Sequence, residues 1–381
     1  MRLQSAVKSS SASIAMEGSE GTSKIHVIHP VTKLISTFPS TRYYGSKRKL
    51  LRSIYAHIRG IQFNSVLDAF GGTGSVSLLF KAMRKAVTYH DGLLFNEDVG
   101  RTLLADEIAL SRTAVQDFFA NVSPCTGVIS RNFEGIFYPA MENHWLDGFA
   151  KLLNDRSLTV GQGALLRYLV YQACLKKRPF NLFHRANLHL RTNTGIARSF
   201  GNAVTWERSF EHHILQAYDE LQHAIKPFAL SSHILPSGNA EDIPTGYDLV
   251  YIDPPYVGLQ DRYNRDDYWR RYHFLEGLAR YNDWDARIDA RSKTREFAPP
   301  SWISAWARLG SFKERLFALI DKHRSSIVVL SYVTNAHPPE AEIKEYFESK
   351  FANVSIHSAE YSHALSKLRK RELLFIGYPR T

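Results

Sequence analysis

Short apolar runs rich in β-branched residues recur along the chain, and stretches with a helical pattern separate several of them. Continuous apolar runs are typical of strands that are buried on both faces of a parallel sheet. Strands that alternate with helices predict an α/β domain with a parallel sheet. The predicted strands lie at residues 65–68, 86–90, 232–235, 247–252, 326–330, 354–356 and 372–377.

The region from residue 103 to residue 231 departs from this alternation, because it contains long helical stretches such as 160–174 and 206–225. A crossover between parallel strands needs only about a dozen residues. We therefore expect a mainly helical domain at 103–231, inserted between two parts of the sheet domain at 38–102 and 232–381. The first 37 residues are small and polar with little to bury, so we expect a flexible tail there.

Asp253-Pro254-Pro255-Tyr256 directly follows the predicted strand at 247–252. Two prolines can neither continue a helix nor donate to a sheet, so the strand ends in a stiff turn at the edge where open α/β sheets bind ligands. This set suits an exocyclic amine on a flat base: one hydrogen goes to the carboxylate and one to the Pro254 carbonyl, while the ring stacks on the tyrosine. The candidate catalytic residues are Asp253, Pro254, Pro255 and Tyr256.

A glycine-rich turn links the predicted strand at 65–68 to a following helix, and its candidate binding residues are Asp68, Phe70, Gly71, Gly72 and Gly74. Glycines at such a turn let the backbone approach a ligand closely, and the Asp68 carboxylate can meet an ammonium group. Asp91 ends the next strand about twenty residues further on, as expected of an acid that binds a ribose. Its two oxygens can accept hydrogen bonds from two hydroxyl groups.

The chain has a net charge of +11, which favours a polyanionic partner. Residues 176–191 interleave cations, amides and aromatic side chains, a mixture suited to phosphates, base edges and unstacked bases. Alternatively, the aromatic residues fill a small core and the basic residues are solvated. The candidate nucleic-acid-binding residues, some from other basic stretches, are Lys176, Lys177, Arg178, Asn181, Arg185, Asn187, Arg191, Arg198, Arg270, Arg271, Lys367 and Arg369.

Two cysteines, Cys125 and Cys174, lack the paired spacing of a zinc site or a disulfide framework, so we expect a reducing compartment and no metal. No apolar run reaches about 18 residues, so we expect no membrane span.

The glycine loop, the acid at 91, the basic insertion and Asp-Pro-Pro-Tyr, in this order, resemble the DNA amino-methyltransferases, in particular the deoxyadenosine-methylating group with the D12-type architecture. The resemblance extends over roughly residues 38–378. It implies a Rossmann-like class I methyltransferase sheet whose inserted, mainly helical domain at 103–231 recognises the DNA target. The cofactor and the substrate that it implies are S-adenosylmethionine and double-stranded DNA. It also implies direct methyl transfer to the N6 atom of an adenine that is flipped out of the duplex.

The resemblance assigns further cofactor contacts. Tyr43 and Lys47 match an aromatic residue and a lysine that close over the cofactor in the adenine-methylating group, and relatives also place the Asp253 carboxylate near the methionine amino group. Glu241 and Asp242 follow the strand at 232–235, and either of them could contact the adenine ring of the cofactor.

Three alternatives use parts of the same pattern. A cytosine-N4 methyltransferase shares the geometry, but such enzymes usually carry serine in place of Asp253. Relatives that act on ribosomal RNA tend to carry asparagine there. A non-catalytic, sequence-specific DNA-binding subunit would not need Asp253, Asp91 and the glycine loop together. The resemblance further implies a bacterial or archaeal cytosolic enzyme, with a cognate restriction endonuclease or defence-system subunits as possible partners.

Overall fold

The computed structural model describes residues 30–178, 182–193, 195, 203–225, 230–258, 267–361 and 370–380. Its centre is a seven-stranded sheet with the spatial order β3-β2-β1-β4-β5-β7-β6. The strands are β1 (Ser65–Asp68), β2 (Ala86–Tyr89), β3 (Ser232–Ile234), β4 (Leu249–Ile252), β5 (Ile327–Val333), β6 (Asn353–Tyr361) and β7 (Lys370–Tyr378). This architecture confirms the predicted α/β, Rossmann-like fold.

The first five strands in chain order are parallel, whereas β7 is antiparallel to both β5 and β6. The chain order reverses between the neighbours β1 and β4, where Asp68 pairs with Tyr251. Ligands bind to open α/β sheets outside the carboxyl ends of the strands at such a reversal. The glycine loop after β1 and the Asp-Pro-Pro-Tyr turn after β4 therefore leave the sheet side by side.

Helices cover both faces of the sheet and build a separate layer beside it. They are α1 (Pro30–Thr37), α2 (Leu51–Ile58), α3 (Ser75–Ala82), α4 (Leu94–Leu103), α5 (Arg112–Ala120), α6 (Val128–Asn132), α7 (Ala140–Asp155), α8 (Val160–Lys177), α9 (His189–Thr192), α10 (Ala203–Glu207), α11 (Phe210–Ala224), α12 (Tyr268–Ala279), α13 (Tyr281–Trp284), α14 (Ser301–Trp306), α15 (Leu309–Lys322) and α16 (Glu340–Lys350).

Adjacent residues of the central strands serve two different cores. Val66 packs with α2 and α3 on one face of the sheet, whereas Leu67 packs with α15 and α16 on the other. Because both faces are buried, the strands are apolar without alternation, and this explains why their runs could be located in the sequence.

The core of the helical layer includes residues from outside the predicted insertion at 103–231. Helices α5 to α11 lie between β2 and β3 in the chain, but α12 and α13 follow β4 and pack into the same apolar cluster, which includes Tyr272, Phe274 and Trp284. Leu93, Phe95 and Val99 at the start of α4 belong to it as well. By packing, residues from both sides of β4 build this layer, whereas the sequence placed only 103–231 in it.

The expected flexible tail is wrong for residues 30–37. They form α1, whose Val31 and Ile35 are buried against the sheet domain together with Phe38. This apolar side was overlooked because the segment is short. Residues 1–29 lie outside the described residues. Among the helices that are described, none is long and apolar enough to cross a membrane.

Candidate active site

A cleft with about 930 Å³ of open space, part of it continuous with solvent, lies at the carboxyl edge of β1 and β4. It brings together most of the residues predicted to bind the cofactor and to act in catalysis. The predicted residues that line it are Tyr43, Lys47, Asp68, Phe70, Gly71, Gly72, Asp91, Asp253 and Pro255.

The Asp253 carboxylate is part of a compact polar cluster with Lys47, Tyr256 and Glu372. Lys47 Nζ lies 2.9 Å from Asp253 Oδ1 and 2.8 Å from Glu372 Oε1. The Tyr256 hydroxyl accepts from Lys47 Nζ at 2.9 Å and lies 2.8 Å from Asp253 Oδ1. Lys47 thus binds Asp253 and Tyr256 of the Asp-Pro-Pro-Tyr motif directly, a contact that differs from the cofactor contact predicted for it.

Both contacts to Asp253 fall on Oδ1, and Oδ2 receives no hydrogen bond from the residues that the structure describes. Burial raises the pKa of Asp253, and the Lys47 ammonium opposes this rise. Burial also raises the pKa of Tyr256 well above its usual value, so its hydroxyl stays protonated and can donate. The cluster therefore offers one anchored and one open carboxylate oxygen at the cleft.

Glycines in the loop after β1 allow neighbouring side chains to pack closely against the loop backbone. A Cβ atom on Gly71 would lie 2.0 Å from the ring of Tyr89, and Gly72 and Gly74 have φ angles of +48° and +67°. Residues other than glycine are disfavoured where a Cβ atom would clash and where the φ angle is positive. Gly72 lines the cleft, whereas Gly74 caps the N-terminus of α3 outside it.

Asp91 holds this loop in place. Its Oδ2 accepts from the Gly72 backbone N–H at 2.8 Å, and its Oδ1 accepts from Leu93 N at 2.8 Å and from Asn96 Nδ2 at 3.0 Å. A carboxylate has about four acceptor positions, so one remains on Oδ2 for a ligand hydroxyl.

Asp68 is buried below the cleft. Its Oδ2 accepts from the Ser77 hydroxyl at 2.6 Å, while its Oδ1 is buried and has no partner in the described part of the chain. Burial raises the pKa of Asp68 to about 7, with the nearby Asp253 and Asp91 charges adding to the rise. An unpartnered buried acceptor is costly, and a cationic ligand would remove that cost.

Tyr43 belongs to a stack of aromatic rings rather than standing alone over the cleft. Its ring lies parallel to Tyr272 at a centroid distance of 4.3 Å and near Tyr268 at 5.9 Å. The Tyr44 backbone N–H donates to the Tyr272 hydroxyl at 2.6 Å. Residues 43–47 are therefore docked on α12 at one end and on Asp253 at the other.

Two tryptophans that the sequence did not single out, Trp302 and Trp306 of α14, form another wall of the cleft. Trp306 contacts Phe70 edge to face at 5.1 Å. The two acids predicted near the adenine ring do not line the cleft: the Glu241 carboxylate faces Arg315 and Asn239, and Asp242 is exposed. The 3-10 turn at Ala240–Asp242 instead directs Ala240 into it.

Comparison with known proteins agrees with this geometry. Residues 43–295 match the D12 class N6 adenine-specific DNA methyltransferase family. The chain belongs to this family. It is also 23% identical over 247 residues, which cover 59% of this chain and 68% of the relative, to "Type II methyltransferase M2.HphI" of Haemophilus parahaemolyticus. The chain is thus an adenine-specific DNA methyltransferase, as its sequence predicted.

Several predicted DNA contacts of the methyltransferase lie inside its helical layer. Lys177 is 2% exposed, and its ammonium contacts Glu142 at 2.9 Å and the carbonyl oxygens of Trp206 and Arg208. Arg178 is fully buried, with its guanidinium 4.3 Å from the centroid of the Phe137 ring. The buried members of the predicted set, whose positions correct that prediction, are Lys176, Lys177, Arg178 and Asn187.

The remaining predicted contacts differ in environment. Arg191 has a side chain that is only 7% exposed and binds Glu142 at 2.8 Å, so its placement departs from the prediction too. Arg185 is exposed, Arg270 pairs with Glu296 at 2.9 Å, and the Arg271 guanidinium lies 4.0 Å from the centroid of the Tyr44 ring. The predicted residues outside the described part of the chain are Asn181, Arg198, Lys367 and Arg369.

Glu372 is the residue of the cluster that the sequence analysis missed. It lies on β7, beyond the part of the chain that matches the family. In the sequence, Glu372 directly precedes the apolar run of a buried strand. An unpaired carboxylate would be costly there, so this position alone indicates a partner for Glu372.

Proposed function

We propose that this methyltransferase transfers a methyl group from S-adenosylmethionine to the N6 atom of an adenine that is flipped out of duplex DNA. The observation that carries the proposal is the asymmetry of the Asp253 carboxylate. Lys47 and Tyr256 hold Oδ1, while Oδ2 has no hydrogen bond within the described residues, and Asp253 belongs to the wall of the cleft. An oxygen in this state can accept a hydrogen of an exocyclic amine.

The residues around the cleft fit the parts of the cofactor. The unpartnered Asp68 Oδ1 suits an ammonium group, and the remaining acceptor position on Asp91 suits a ribose hydroxyl. Phe70, Trp302 and Trp306 offer apolar ring surface for an adenine ring. When bound, S-adenosylmethionine supplies an electrophilic methyl group.

The Asp-Pro-Pro-Tyr turn then orients the target base. Asp253 Oδ2 accepts one N6 hydrogen and the Pro254 carbonyl accepts the other, so the nitrogen lone pair is directed out of the plane of the base. Tyr256, whose hydroxyl holds Asp253, offers its half-buried ring for stacking. These bonds and this stacking offset the few kcal/mol that flipping costs.

The net charge of the polar cluster also favours methyl transfer to N6. The two carboxylates of Asp253 and Glu372 and the single ammonium of Lys47 give the cluster a net charge of −1 when all three are ionised. Positive charge develops on N6 as the methyl group is transferred, and a fixed negative site beside it stabilises that charge until N6 releases one of its hydrogens as a proton to water. Neither cysteine is needed as a nucleophile.

The proposal also covers the cellular role and the contacts with DNA. The relative from Haemophilus parahaemolyticus is named a type II methyltransferase, which supports a role in restriction-modification with a cognate endonuclease or defence subunits in a bacterial or archaeal cytosol. The net charge of +11 and the exposed Arg185 support binding of the DNA backbone. Phosphate contacts by the buried Lys177 and Arg178 are no longer part of this proposal.

The experiment that tests the proposal replaces Asp253 by alanine. Loss of one positioned electrostatic partner commonly slows a reaction on the order of a hundredfold or more, and we expect such a loss in single-turnover methyl transfer with saturating cofactor. DNA binding should persist, and cofactor binding should weaken moderately at most. The control Asp289→Ala removes an exposed carboxylate and should react like the wild type. A wild-type rate in Asp253→Ala would contradict the assigned site.

A further inference from the structure

We infer that Glu372 is a positioning residue for methyl transfer, which fixes Lys47 and Tyr256 so that Asp253 keeps one oxygen open and the cluster keeps a negative charge. This inference rests on the proposed function of Asp253. It adds a residue from the C-terminal strand to a polar cluster whose other members are Lys47, Asp253 and Tyr256.

The fold places Glu372 at the same edge of the sheet as Asp253. Because β7 runs antiparallel to β5, its first residues lie beside the carboxyl end of β5, where Glu372 pairs with Val333. The strands β4 and β5 are parallel, and Ile252, the residue before Asp253, pairs with Leu330. A residue near the start of β7 therefore reaches a turn that lies 116 positions away in the chain.

The Glu372 carboxylate contacts other members of the cluster and β5. Its Oε1 accepts from Lys47 Nζ at 2.8 Å and lies 2.9 Å from the Tyr256 hydroxyl, whose single hydrogen can be donated either to Glu372 or to Asp253 Oδ1. The Ser331 hydroxyl donates to Glu372 Oε1 at 3.2 Å. With a side chain that is 13% exposed, this carboxylate is costly to bury unless it is paired, and Lys47 is the cation that pairs with it.

Two carboxylates that share one ammonium behave differently from a simple ion pair. Glu372 binds the same Lys47 ammonium as Asp253, and the contact between Lys47 and Asp253 falls on Oδ1. Without Glu372, Lys47 would neutralise Asp253, and the net charge of the cluster would change from −1 to 0. Both effects would weaken the stabilisation of positive charge on N6.

The two carboxylates also repel each other, and the Glu372 charge contributes to the raised pKa of Asp253. Removing that charge should lower the pKa of Asp253 and move the acid limb of the rate profile to lower pH. The titratable and charged groups around the two carboxylates are Tyr43, Lys47, His57, Asp68, Tyr251, Tyr256 and His357. They are the same in the wild type and in a Glu372 variant, so the difference between the two profiles isolates Glu372.

The test compares single-turnover rates of the wild type, Glu372→Gln and Glu372→Asp across pH, with saturating S-adenosylmethionine and duplex DNA. We expect the plateau rate of Glu372→Gln to fall roughly tenfold or more, as is common when an outer partner of a reacting group is lost. Its acid limb should move to lower pH. Glu372→Asp keeps the charge, so its acid limb should stay close to that of the wild type while its plateau falls less.

Two controls make the outcome decisive. Glu348→Gln, at an exposed position of α16, should leave both the plateau and the acid limb unchanged. Dissociation constants for cofactor and DNA should agree between the wild type and Glu372→Gln. A Glu372→Gln plateau equal to that of the wild type, or a lower plateau with an unmoved acid limb, would overturn the inference. Absence of methyl transfer by the wild type would instead overturn the proposed function.

Discussion

At the scale of single residues, burial of the Asp68 carboxyl group makes its charge, and with it the proposed binding of an ammonium ligand, depend on pH. It is buried, one of its oxygens has no partner among the described residues, and burial raises its pKa to about 7. Without a ligand, the group is protonated below pH 7 and ionised above it. An ammonium ligand binds the ionised form and would lower this pKa again.

The affinity for S-adenosylmethionine should therefore increase as the pH rises toward 7, by up to about tenfold per pH unit, and then level off. Asp68→Asn cannot ionise, so we expect it to bind more weakly and without this increase. Isothermal titration calorimetry at about pH 6, 7 and 8 measures the difference. The ligand's own ionisation is common to both proteins. Parallel pH dependences in the two proteins would exclude Asp68 as the ammonium partner.

Individual residues of the cleft and the polar cluster differ in how far the sequence could predict their positions. Asp253, Asp91 and Asp68 were predictable because each ends a strand at an edge where ligands bind. Glu372 was not, because its partners lie far away in the chain and only the pairing of β7 with β5 brings them together. The partner of Lys47 was not predictable either, since a cation beside a helix start is equally suited to a ligand carboxylate.

At the scale of elements, the segment 43–47 connects the helical layer to the Asp-Pro-Pro-Tyr turn. Tyr43 stacks on Tyr272 of α12, Gly45 follows with a φ angle of +82°, and Lys47 reaches Asp253. A Cβ atom on Gly45 would lie 2.1 Å from the Tyr268 hydroxyl. The segment can thus keep Lys47 in place only with glycine at this position.

Gly45→Ala should displace this segment and lower kcat/KM. The left-handed conformation alone costs roughly 1–2 kcal/mol for alanine, which corresponds to roughly a fivefold to thirtyfold effect. Steady-state methylation assays and thermal unfolding would show whether the loss is local. The matched control is Gly60→Ala, because a Cβ atom there has no neighbour within 4 Å and we expect wild-type behaviour. Equal activity of the two variants would contradict the role given to the segment.

The elements of the sheet and of the helical layer were not equally predictable. Strands were located because both of their faces are buried, whereas the partners of α12 depend on tertiary packing, and its Arg270 and Arg271 were predicted to bind nucleic acid. Lys177 and Arg178 illustrate the same difficulty. Their charges suggested a surface, but Glu142, backbone carbonyls and aromatic rings accommodate them inside the layer.

At the scale of the whole molecule, two parts of the chain meet around one cleft. The sheet supplies the glycine loop, Asp91 and Asp253, and the helical layer supplies the aromatic residues that hold Tyr43. The family match ends at residue 295, yet the cleft also uses Trp302 and Trp306, and Glu372 completes the polar cluster behind Asp253. The C-terminal third of the chain is therefore part of the proposed active site.

The identity of the reaction product shows most directly whether this assembly methylates adenine N6 in duplex DNA. Purified protein would be incubated with methyl-labelled S-adenosylmethionine and unmethylated genomic DNA, with RNA in a parallel reaction, and the nucleosides would be separated by mass spectrometry. We predict N6-methyldeoxyadenosine from the wild type and very little from Asp253→Ala. Label found only in N4-methyldeoxycytidine, or only in RNA, would contradict the account.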